Sequence, residues 1–426
     1  MKLNIESYLS SLKKIAKRNR VILENFSYIT LMQMLLIVAP LITYPYLTRV
    51  LGTKLYGTVL TAQVLASYAT IIVRFGFDSV SARHISMHMD NKEKLSEVMS
   101  SIMTMRGLLW IACAAIYIAV VLAVPVYREH FLLFLFSYGL TINVLLFPQF
   151  YFQGIEQMKF ITLINVGIQA LFVVLTFIVI KSPNDYIYVP LLHAVGYLIG
   201  GVAALFIIFH SHRIKFRFPQ RSQALYYVKD AAPLFATDAV CTIKDKFNYL
   251  LIGVCVSMSE VVPYDVGAKL TSLSILPLTI INTVVFPKMA RDKSNRQFRM
   301  VGLVIVTCIV TLVLLINIFL RPIVHFLIGC DVDLFPIRLY LLSPIFLGLS
   351  SYTASSLIVA RGHNRYMLYS ILITTGVYLV LLIALYLTYQ LTSITSFIIL
   401  TVVSYFAELI YRLAIGRKII CKENIR

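Results

Sequence analysis

Three consecutive charged residues, Lys244, Asp245 and Lys246, interrupt a stretch of sequence that is otherwise largely apolar. A further acid, Asp238, lies seven residues before Asp245. In a helix the two carboxylates would therefore project from one face, within about 20° of each other. On the same helix Lys246 flanks that face, whereas Lys244 points toward a neighbouring helix. Ammonium groups in such a setting can hold an anion, and carboxylates can balance them or take up a proton.

The composition around these charges is that of a membrane protein. Of the 426 residues, 59% are hydrophobic and 13% are charged, against roughly 25% charged residues in an ordinary globular chain. This excludes a soluble enzyme. The six cysteines are scattered without a C-x-x-C pair, and no nucleophile–base–acid set is visible, so we expect neither a cofactor nor a catalytic site.

Apolar stretches of about twenty residues recur along the chain, each long enough to cross about 30 Å of hydrocarbon as a helix. They span residues 26–47, 56–74, 107–124, 131–153, 161–180, 188–209, 232–256, 264–287, 300–320, 336–358, 366–388 and 393–411. Lipid offers no hydrogen-bond partner to the backbone, so these stretches must be helical. The sequence therefore predicts an all-α polytopic membrane protein with about 12 transmembrane helices.

The basic residues predict the orientation of these helices. If the N-terminus is cytoplasmic, the inner segments hold 29 of the 38 Lys and Arg residues and the outer loops hold six. Such a bias is typical of cytoplasmic loops, so we expect both termini in the cytoplasm. The positive balance suits an anionic lipid leaflet and, without a base-stacking motif, does not indicate nucleic acid binding. Of the acids within the predicted helices, we single out Asp238, Asp245 and Glu408.

Two pairs of similar loops indicate an internal duplication. Tyr56 in "LGTKLYGTVLTAQ" and Tyr264 in "MSEVVPYDVGAKL" are 208 residues apart, as are Gly154 in "YFQGIEQMKFITL" and Gly362 in "LIVARGHNRYMLY". One constant offset predicts two parallel six-helix lobes, an arrangement in which transporters place a site between repeats. The predicted divisions are a cytoplasmic or interfacial segment 1–25, an N-lobe 26–209, a cytoplasmic linker 210–231, a C-lobe 232–411 and a basic tail 412–426.

An ionisable group in the middle of a bilayer costs about 2.5–3.5 kcal/mol, so adjacent charges persist only if they face water or a charged ligand. We therefore predict a cationic cavity for an anionic substrate. The candidate substrate-binding residues are Lys244, Lys246, Lys269, Arg49 and Arg74, and the candidates for ion coupling or charge balance are Asp238, Asp245 and Glu408. Two alternatives remain open: the seventh helix begins near Phe247 and leaves the charges at the interface, or the lysines pair with these acids only for helix packing.

The stretches "ENFSYITLMQMLLIVAPLITYPYLTRVLGTKLYGTV" (24–59), "FGFDSVSARHIS" (75–86) and "YFQGIEQMKFIT" (151–162) resemble the Wzx-type O-antigen and polysaccharide flippases. These flippases belong to the multidrug/oligosaccharidyl-lipid/polysaccharide exporter superfamily. The resemblance covers most of the chain in order and spacing. It implies two six-helix lobes around a cavity that opens to one side of the bacterial inner membrane at a time.

The same resemblance implies a substrate, undecaprenyl diphosphate carrying an oligosaccharide repeat, that moves from the cytoplasmic to the periplasmic leaflet with coupling to an ion gradient. Lys244 and Lys246 would hold the diphosphate, and Asp238 or Asp245 would balance them or take the coupling proton. Other polysaccharide-assembly membrane proteins are possible partners. The competing interpretations are a multidrug antiporter of the same superfamily, a membrane glycan polymerase or ligase, and a scaffold in a glycan-assembly complex.

Overall fold

The computed structural model describes residues 20–292, 295–363 and 365–425. Most of the predicted N-terminal segment 1–25 therefore lies outside the described residues. Within the described ranges the regular structure is helical and no strand occurs. The predicted all-α fold class is confirmed.

Seventeen α-helices are described: α1 Arg20–Arg74, α2 Phe77–Met87, α3 Lys92–Ala123, α4 Pro125–Arg128, α5 Phe131–Tyr138, α6 Ile142–Leu146, α7 Gln149–Gly154, α8 Met158–Val179, α9 Tyr188–Phe206, α10 Arg221–Cys255, α11 Val261–Asp292, α12 Asn295–Ile318, α13 Leu320–Ile328, α14 Phe335–Tyr340, α15 Ser343–Thr353, α16 Arg365–Leu387 and α17 Ile394–Ile425. Short 3₁₀ turns lie at Gly139–Thr141, Pro183–Ile187 and Met258–Glu260. Wider π turns at Ile207–Ser211 and Ala354–Val359 follow α9 and α15.

Nine helical stretches of the described chain are long and apolar enough to cross a membrane. The first of them, Thr30–Met87, contains two of the predicted spans, so nine stretches account for ten of the predicted twelve. The remaining two predicted spans lie in α10 and α11 and are not among these nine. The protein is therefore a multi-pass membrane protein, and α10 and α11 stay predicted spans.

The helix α1 bends at Gly52, where the backbone has φ 76° and ψ 163°. This bend takes the place of the loop that the sequence predicts between the first two spans. A β-carbon at Gly52 would meet no atom within 4 Å. Glycine is therefore needed here because other residues adopt a positive φ only with steric strain. Lack of space for a side chain is not the reason.

The described chain forms two compact units. The first contains residues 20–43, 66–181 and 187–236, and the second contains 44–65, 182–186 and 237–425. The bend of α1 thus lies in the second unit, although its chain neighbours on both sides belong to the first. The division into an N-lobe 26–209 and a C-lobe 232–411 stays a prediction.

In the first unit, aromatic and aliphatic side chains from α2, α3 and α7 form a core that includes Phe77, Met99 and Phe150. At its edge Arg106 is 1% exposed. The Arg106 guanidinium donates to the Asp78 carboxylate at 2.6 Å and to the Val144 carbonyl at 3.0 Å, and it lies 5.0 Å from the centre of the Phe150 ring. A buried cation of this kind is stable only with such compensation.

In the second unit, hydrogen bonds attach segment 44–65 to later helices. The Tyr44 hydroxyl donates to the Val262 carbonyl at 3.2 Å, and the Thr48 hydroxyl donates to the Leu327 carbonyl at 2.7 Å. Both donors are buried. Residues 60–64 of the same segment line the cavity described next.

Candidate functional site

A cavity of about 430 Å³ lies within the second unit. Six helices line it, and α11 contributes a continuous face because its lining residues recur at helical spacing. The lining residues are Leu60, Gln63, Val64, Asp245, Lys246, Tyr249, Asp265, Ala268, Lys269, Thr271, Ser272, Ile275, Tyr340, Leu347 and Tyr405. The cavity combines two acids, two lysines, three tyrosines and further polar groups with an apolar remainder.

The helix α10 brings two of the three consecutive charges to this cavity. Asp245 and Lys246 line it together with Tyr249, which is one turn further along α10. The helix runs without interruption from Arg221 to Cys255. The helix therefore does not begin near Phe247, and whether the charges sit at the membrane interface stays open.

Lys244 is not among the residues that line this cavity, as its helical spacing predicts. Its ammonium lies 3.2 Å from the Asp245 carboxylate and 4.7 Å from the centre of the Tyr405 ring on α17. Its side chain is 10% exposed, against 47% for Asp245. The Tyr405 hydroxyl also donates to Asp245, at 3.2 Å. For Lys244 the structure thus shows the internal pairing that the sequence left open.

Lys269 reaches the cavity from α11 and forms a charge-assisted hydrogen bond with Asp265, one turn earlier. The Tyr249 hydroxyl donates to the same carboxylate at 3.0 Å. The Lys269 ammonium lies 4.9 Å from the centre of the Tyr44 ring, a cation–π contact. Sequence reasoning missed Asp265 because it lies so close to the predicted start of its span. The spacing of four residues to Lys269 is the signal that identifies it.

The formal charges that line the cavity balance, because Asp245 and Asp265 accompany Lys246 and Lys269. The sequence predicted a cationic cavity and counted Lys269 without an acidic neighbour. The structure instead places each cavity lysine on a helix that also presents a carboxylate. A ligand anion would have to compete with these carboxylates for the ammonium groups.

The other candidate residues lie elsewhere. Arg49 is exposed near the bend of α1, where its guanidinium donates to the Phe326 carbonyl at 3.1 Å and faces the Phe326 ring. Arg74 belongs to the first unit and lies 3.4 Å from Asp78. Asp238 is exposed on α10. None of these three is among the described residues that line the cavity, and their roles stay predictions.

Glu408 is buried on α17 and forms an ion pair with Arg412 at 2.7 Å. Its carboxylate also accepts hydrogen bonds from Ser350 at 3.3 Å and from Thr374 at 3.2 Å. The sequence had placed Arg412 at the start of the basic tail, but Arg412 is 5% exposed and α17 continues to Ile425. Glu408 is therefore balanced by Arg412, and its role in ion coupling stays a prediction.

A buried amide behind the cavity was also missed. The Asn248 side chain is 1% exposed, and its two N–H groups are shared among the Tyr264 hydroxyl at 3.0 Å, the Thr401 hydroxyl at 2.8 Å and the Phe397 carbonyl at 3.2 Å. It accepts from the Tyr378 hydroxyl at 2.5 Å. These bonds join α10 to α11, α16 and α17. An amide with both its oxygen and its nitrogen satisfied fixes its neighbours strongly.

No group of three or more His, Cys, Asp or Glu side chains in the described part of the chain is arranged to hold a metal ion. The arrangement offers charge-assisted hydrogen bonds, tyrosine hydroxyls and aromatic faces. These groups bind polar ligands that carry both charge and hydroxyls.

Comparison with known proteins agrees with this picture. Two curated relatives are both provisionally assigned as O-antigen transporters. One, from Shigella dysenteriae, is 24% identical over 231 residues, which is 54% of this chain and 57% of the relative. The other, from Escherichia coli K12, is 23% identical over 186 residues, which is 44% of this chain and 45% of the relative. The chain thus spans about half the length of the curated relatives it matches.

Solved structures share the fold. A multidrug resistance MATE family transporter of the MOP superfamily in an inward-facing conformation aligns with a TM-score of 0.68 at 11% identity, covering 89% of this chain and 94% of the transporter. The lipid II flippase MurJ in an inward closed conformation aligns with a TM-score of 0.66 at 14% identity, covering 93% and 87% of the two chains. At these identities the likeness shows the fold alone.

A sequence profile of the family described as "Polysaccharide biosynthesis protein" matches residues 22–293, which is more than half of the chain. Together with the curated relatives and the structural neighbours, this match confirms the resemblance drawn from the sequence. The chain belongs to the polysaccharide biosynthesis protein family.

Proposed function

We propose that this protein is a flippase of the bacterial inner membrane. It moves undecaprenyl-diphosphate-linked oligosaccharide repeat units, of the O-antigen kind or of a related surface polysaccharide, from the cytoplasmic to the periplasmic leaflet. The mechanism is alternating access of a cavity to the two sides of the membrane. The family, the names of the curated relatives and the fold support this proposal. Binding to other polysaccharide-assembly membrane proteins stays a prediction.

The observation that carries the proposal is the charged cavity in the second unit. A diphosphate crossing near hydrocarbon needs cationic partners, since its desolvation would otherwise block passage. Lys246 and Lys269 line the cavity and supply them. The hydroxyls of Tyr249 and Tyr405 offer donors for sugar oxygens once they release their aspartates.

The pairing of Lys269 with Asp265 suggests how the site stays stable between substrates. The carboxylate balances the ammonium when the cavity holds only water, and a substrate diphosphate takes its place. The ion pair between Lys269 and Asp265 is thereby replaced by an ion pair between Lys269 and the diphosphate. The ammonium group therefore keeps a counter-charge throughout in a region of low dielectric. Asp245, which is 47% exposed, is the carboxylate best placed to take up a coupling proton.

The test replaces Lys246 and Lys269 with Ala, singly and together, in cells that lack their own flippase. We expect loss of surface polysaccharide and accumulation of lipid-linked repeat units, since the diphosphate loses its partners. Lys54→Ala, at an exposed lysine of the same unit, is the matched control and should export normally. Normal export by the double variant, with the protein present in the membrane, would refute the proposal.

Ion coupling is tested by Asp245→Asn and compared with Asp238→Asn, at the other candidate on α10, which does not line the cavity. We expect the first variant to lose its response to an imposed proton gradient, measured as repeat-unit translocation in vesicles. Unchanged dependence on the gradient in Asp245→Asn would exclude this carboxylate as the coupling group.

The second candidate is a multidrug antiporter, favoured by the two carboxylates in the cavity, which suit a cationic drug. Under this alternative, cells expressing the protein would export a cationic dye, and Asp245→Asn would abolish that export. Dye export together with unaffected surface polysaccharide would support the antiporter over the flippase.

A further inference from the structure

An extended segment leaves the end of the π turn that follows α9 and carries an unusual set of exposed side chains. We call residues 213–219 the strap. Arg213 has φ 57°, a left-handed conformation that reverses the chain at the helix end. The next residue, Ile214, is buried, and its amide donates to the Ile208 carbonyl at 3.2 Å. Burial of Ile214 and its backbone hydrogen bond therefore hold the first residues of the strap in place.

Two serines on α3 hold the strap along its length. The amide of Lys215 donates to the Ser96 hydroxyl at 3.1 Å, and the amide of Arg217 donates to the Ser100 hydroxyl at 3.0 Å. Because the partners of successive strap amides advance along α3 from Ser96 to Ser100, the strap runs toward Ala123, the end of α3 that the sequence places in the membrane.

The side chains of this pinned backbone face outward. Lys215, Phe216, Arg217 and Phe218 are all exposed, and Phe218 is 87% exposed. The two phenyl rings contact each other edge to face, with centres 5.4 Å apart. Exposing two neighbouring phenyl rings to water is unfavourable in free energy. The surface is therefore better suited to contact with an apolar or interfacial environment than with water.

The charge of the strap is uniformly positive. Arg213, Lys215, Arg217 and Arg221 lie within nine residues, and no acid occurs between residues 211 and 229. The acids that face the strap are Glu93 and Glu97 of α3, which share a pocket of about 440 Å³ with Arg217 and Phe218. Glu97 is bonded to Lys94 at 2.7 Å and to the Tyr227 hydroxyl at 3.3 Å.

The strap also lies at the right depth for lipid headgroups. Ser100 is seven residues before Gly107, where the predicted span of α3 begins, a distance of about 10 Å along a helix. The polar zone of a bilayer extends roughly 5–7 Å beyond the hydrocarbon on each side. The side chains of Arg217 and Phe218 are long enough to reach from the strap backbone, about 10 Å from the start of the span, into this polar zone.

We propose that the strap is a docking surface for anionic phospholipid headgroups of the surrounding bilayer. Lys215 and Arg217 contact the phosphates, and Phe216 and Phe218 insert between the headgroups, as exposed aromatic and basic side chains do at membrane surfaces. The serine bonds hold the strap in place, so docking orders only side chains. This surface is independent of the cavity in the second unit and does not rest on the flippase proposal.

The test places Trp at position 218 (Phe218→Trp) in a background that carries Trp110→Phe, because Trp110 is the only native tryptophan. The full-length protein is reconstituted in nanodiscs of phosphatidylcholine, with or without phosphatidylglycerol, and Trp emission and quenching by brominated lipid are recorded. With phosphatidylglycerol we expect emission at shorter wavelength and stronger quenching. Raising the salt to about 1 M, where the Debye length is about 3 Å, should reduce both effects.

Two variants serve as controls. Lys215→Gln with Arg217→Gln should abolish the response to phosphatidylglycerol, and Trp at position 389 (Tyr389→Trp), an 89% exposed site without the basic strap, should show no response. Equal emission in both lipid mixtures, or a response that survives removal of the two charges, would overturn the proposal. A shift produced in detergent by inorganic phosphate alone would also overturn it, since the surface would then bind a free anion. If Phe is not tolerated at position 110, difference spectra against the parent protein give the same comparison.

Discussion

The strongest stability prediction concerns the pair of Asp78 and Arg106 in the first unit. Asp78 contacts two arginines, at 2.6 Å from Arg106 and 3.4 Å from Arg74. The side chain of Arg106 is 2% exposed, whereas that of Arg74 is 49% exposed. Asp78→Ala leaves the buried guanidinium without its counter-charge, which costs about 3–5 kcal/mol. Arg74→Ala removes only an exposed pair, worth about 0–1 kcal/mol.

The assay is thermal unfolding of the purified protein in one detergent. The cost of Asp78→Ala should lower the midpoint on the order of 10 °C, and that of Arg74→Ala by about 3 °C or less. The double variant Asp78→Ala, Arg106→Met should be more stable than Asp78→Ala alone, because Met fills the space without a charge. Equal midpoints for Asp78→Ala and Arg74→Ala, or additive losses in the double variant, would refute the reasoning.

Three further predictions use the same unfolding assay. Gly52→Ala should lower the free energy of unfolding by about 1–2 kcal/mol, because residue 52 has a positive φ. Gly376→Ala is the control and should be neutral or stabilising, because a β-carbon at position 376 meets no atom within 4 Å. Equal effects of the two substitutions would contradict this. Asn248→Ala should cost about 2 kcal/mol or more because it strands buried partners such as the Tyr378 hydroxyl; a loss below about 0.5 kcal/mol would contradict this. Burial and two nearby lysines lower the pKa of His212, so the folded state binds fewer protons than the unfolded one. Stability should therefore fall as the pH drops below about 6.5, and His212→Gln should flatten that dependence; an unchanged profile would refute it.

Much of the fold follows from hydropathy alone, because an apolar stretch in lipid has to be a helix. The limits of this reasoning show at the helix ends. Hydropathy marks the apolar part of a helix and not its last residue, so the sequence ended the final span at residue 411 and assigned Arg412 to a tail. The helix α17 in fact continues to Ile425 and buries Arg412 against Glu408.

The candidate site could be predicted in part. Helical spacing separates Lys244 from Asp245 and Lys246 correctly, because each residue turns the helix by about 100°. What spacing on one helix cannot supply is the partner on another, such as Tyr405 beside Lys244. It also cannot show that Arg49 bonds to the Phe326 carbonyl. Those contacts depend on tertiary packing.

The amide of Asn248 has a consequence for how the cavity can change over evolutionary time. Its four hydrogen bonds lock the registry of α10 against α11, α16 and α17, one turn from the lining residue Asp245. A wall locked in this way adapts to a new ligand by exchange of single side chains and not by sliding of helices. We therefore expect divergence among close relatives to concentrate at lining positions such as Lys246 and Ser272, with the asparagine retained.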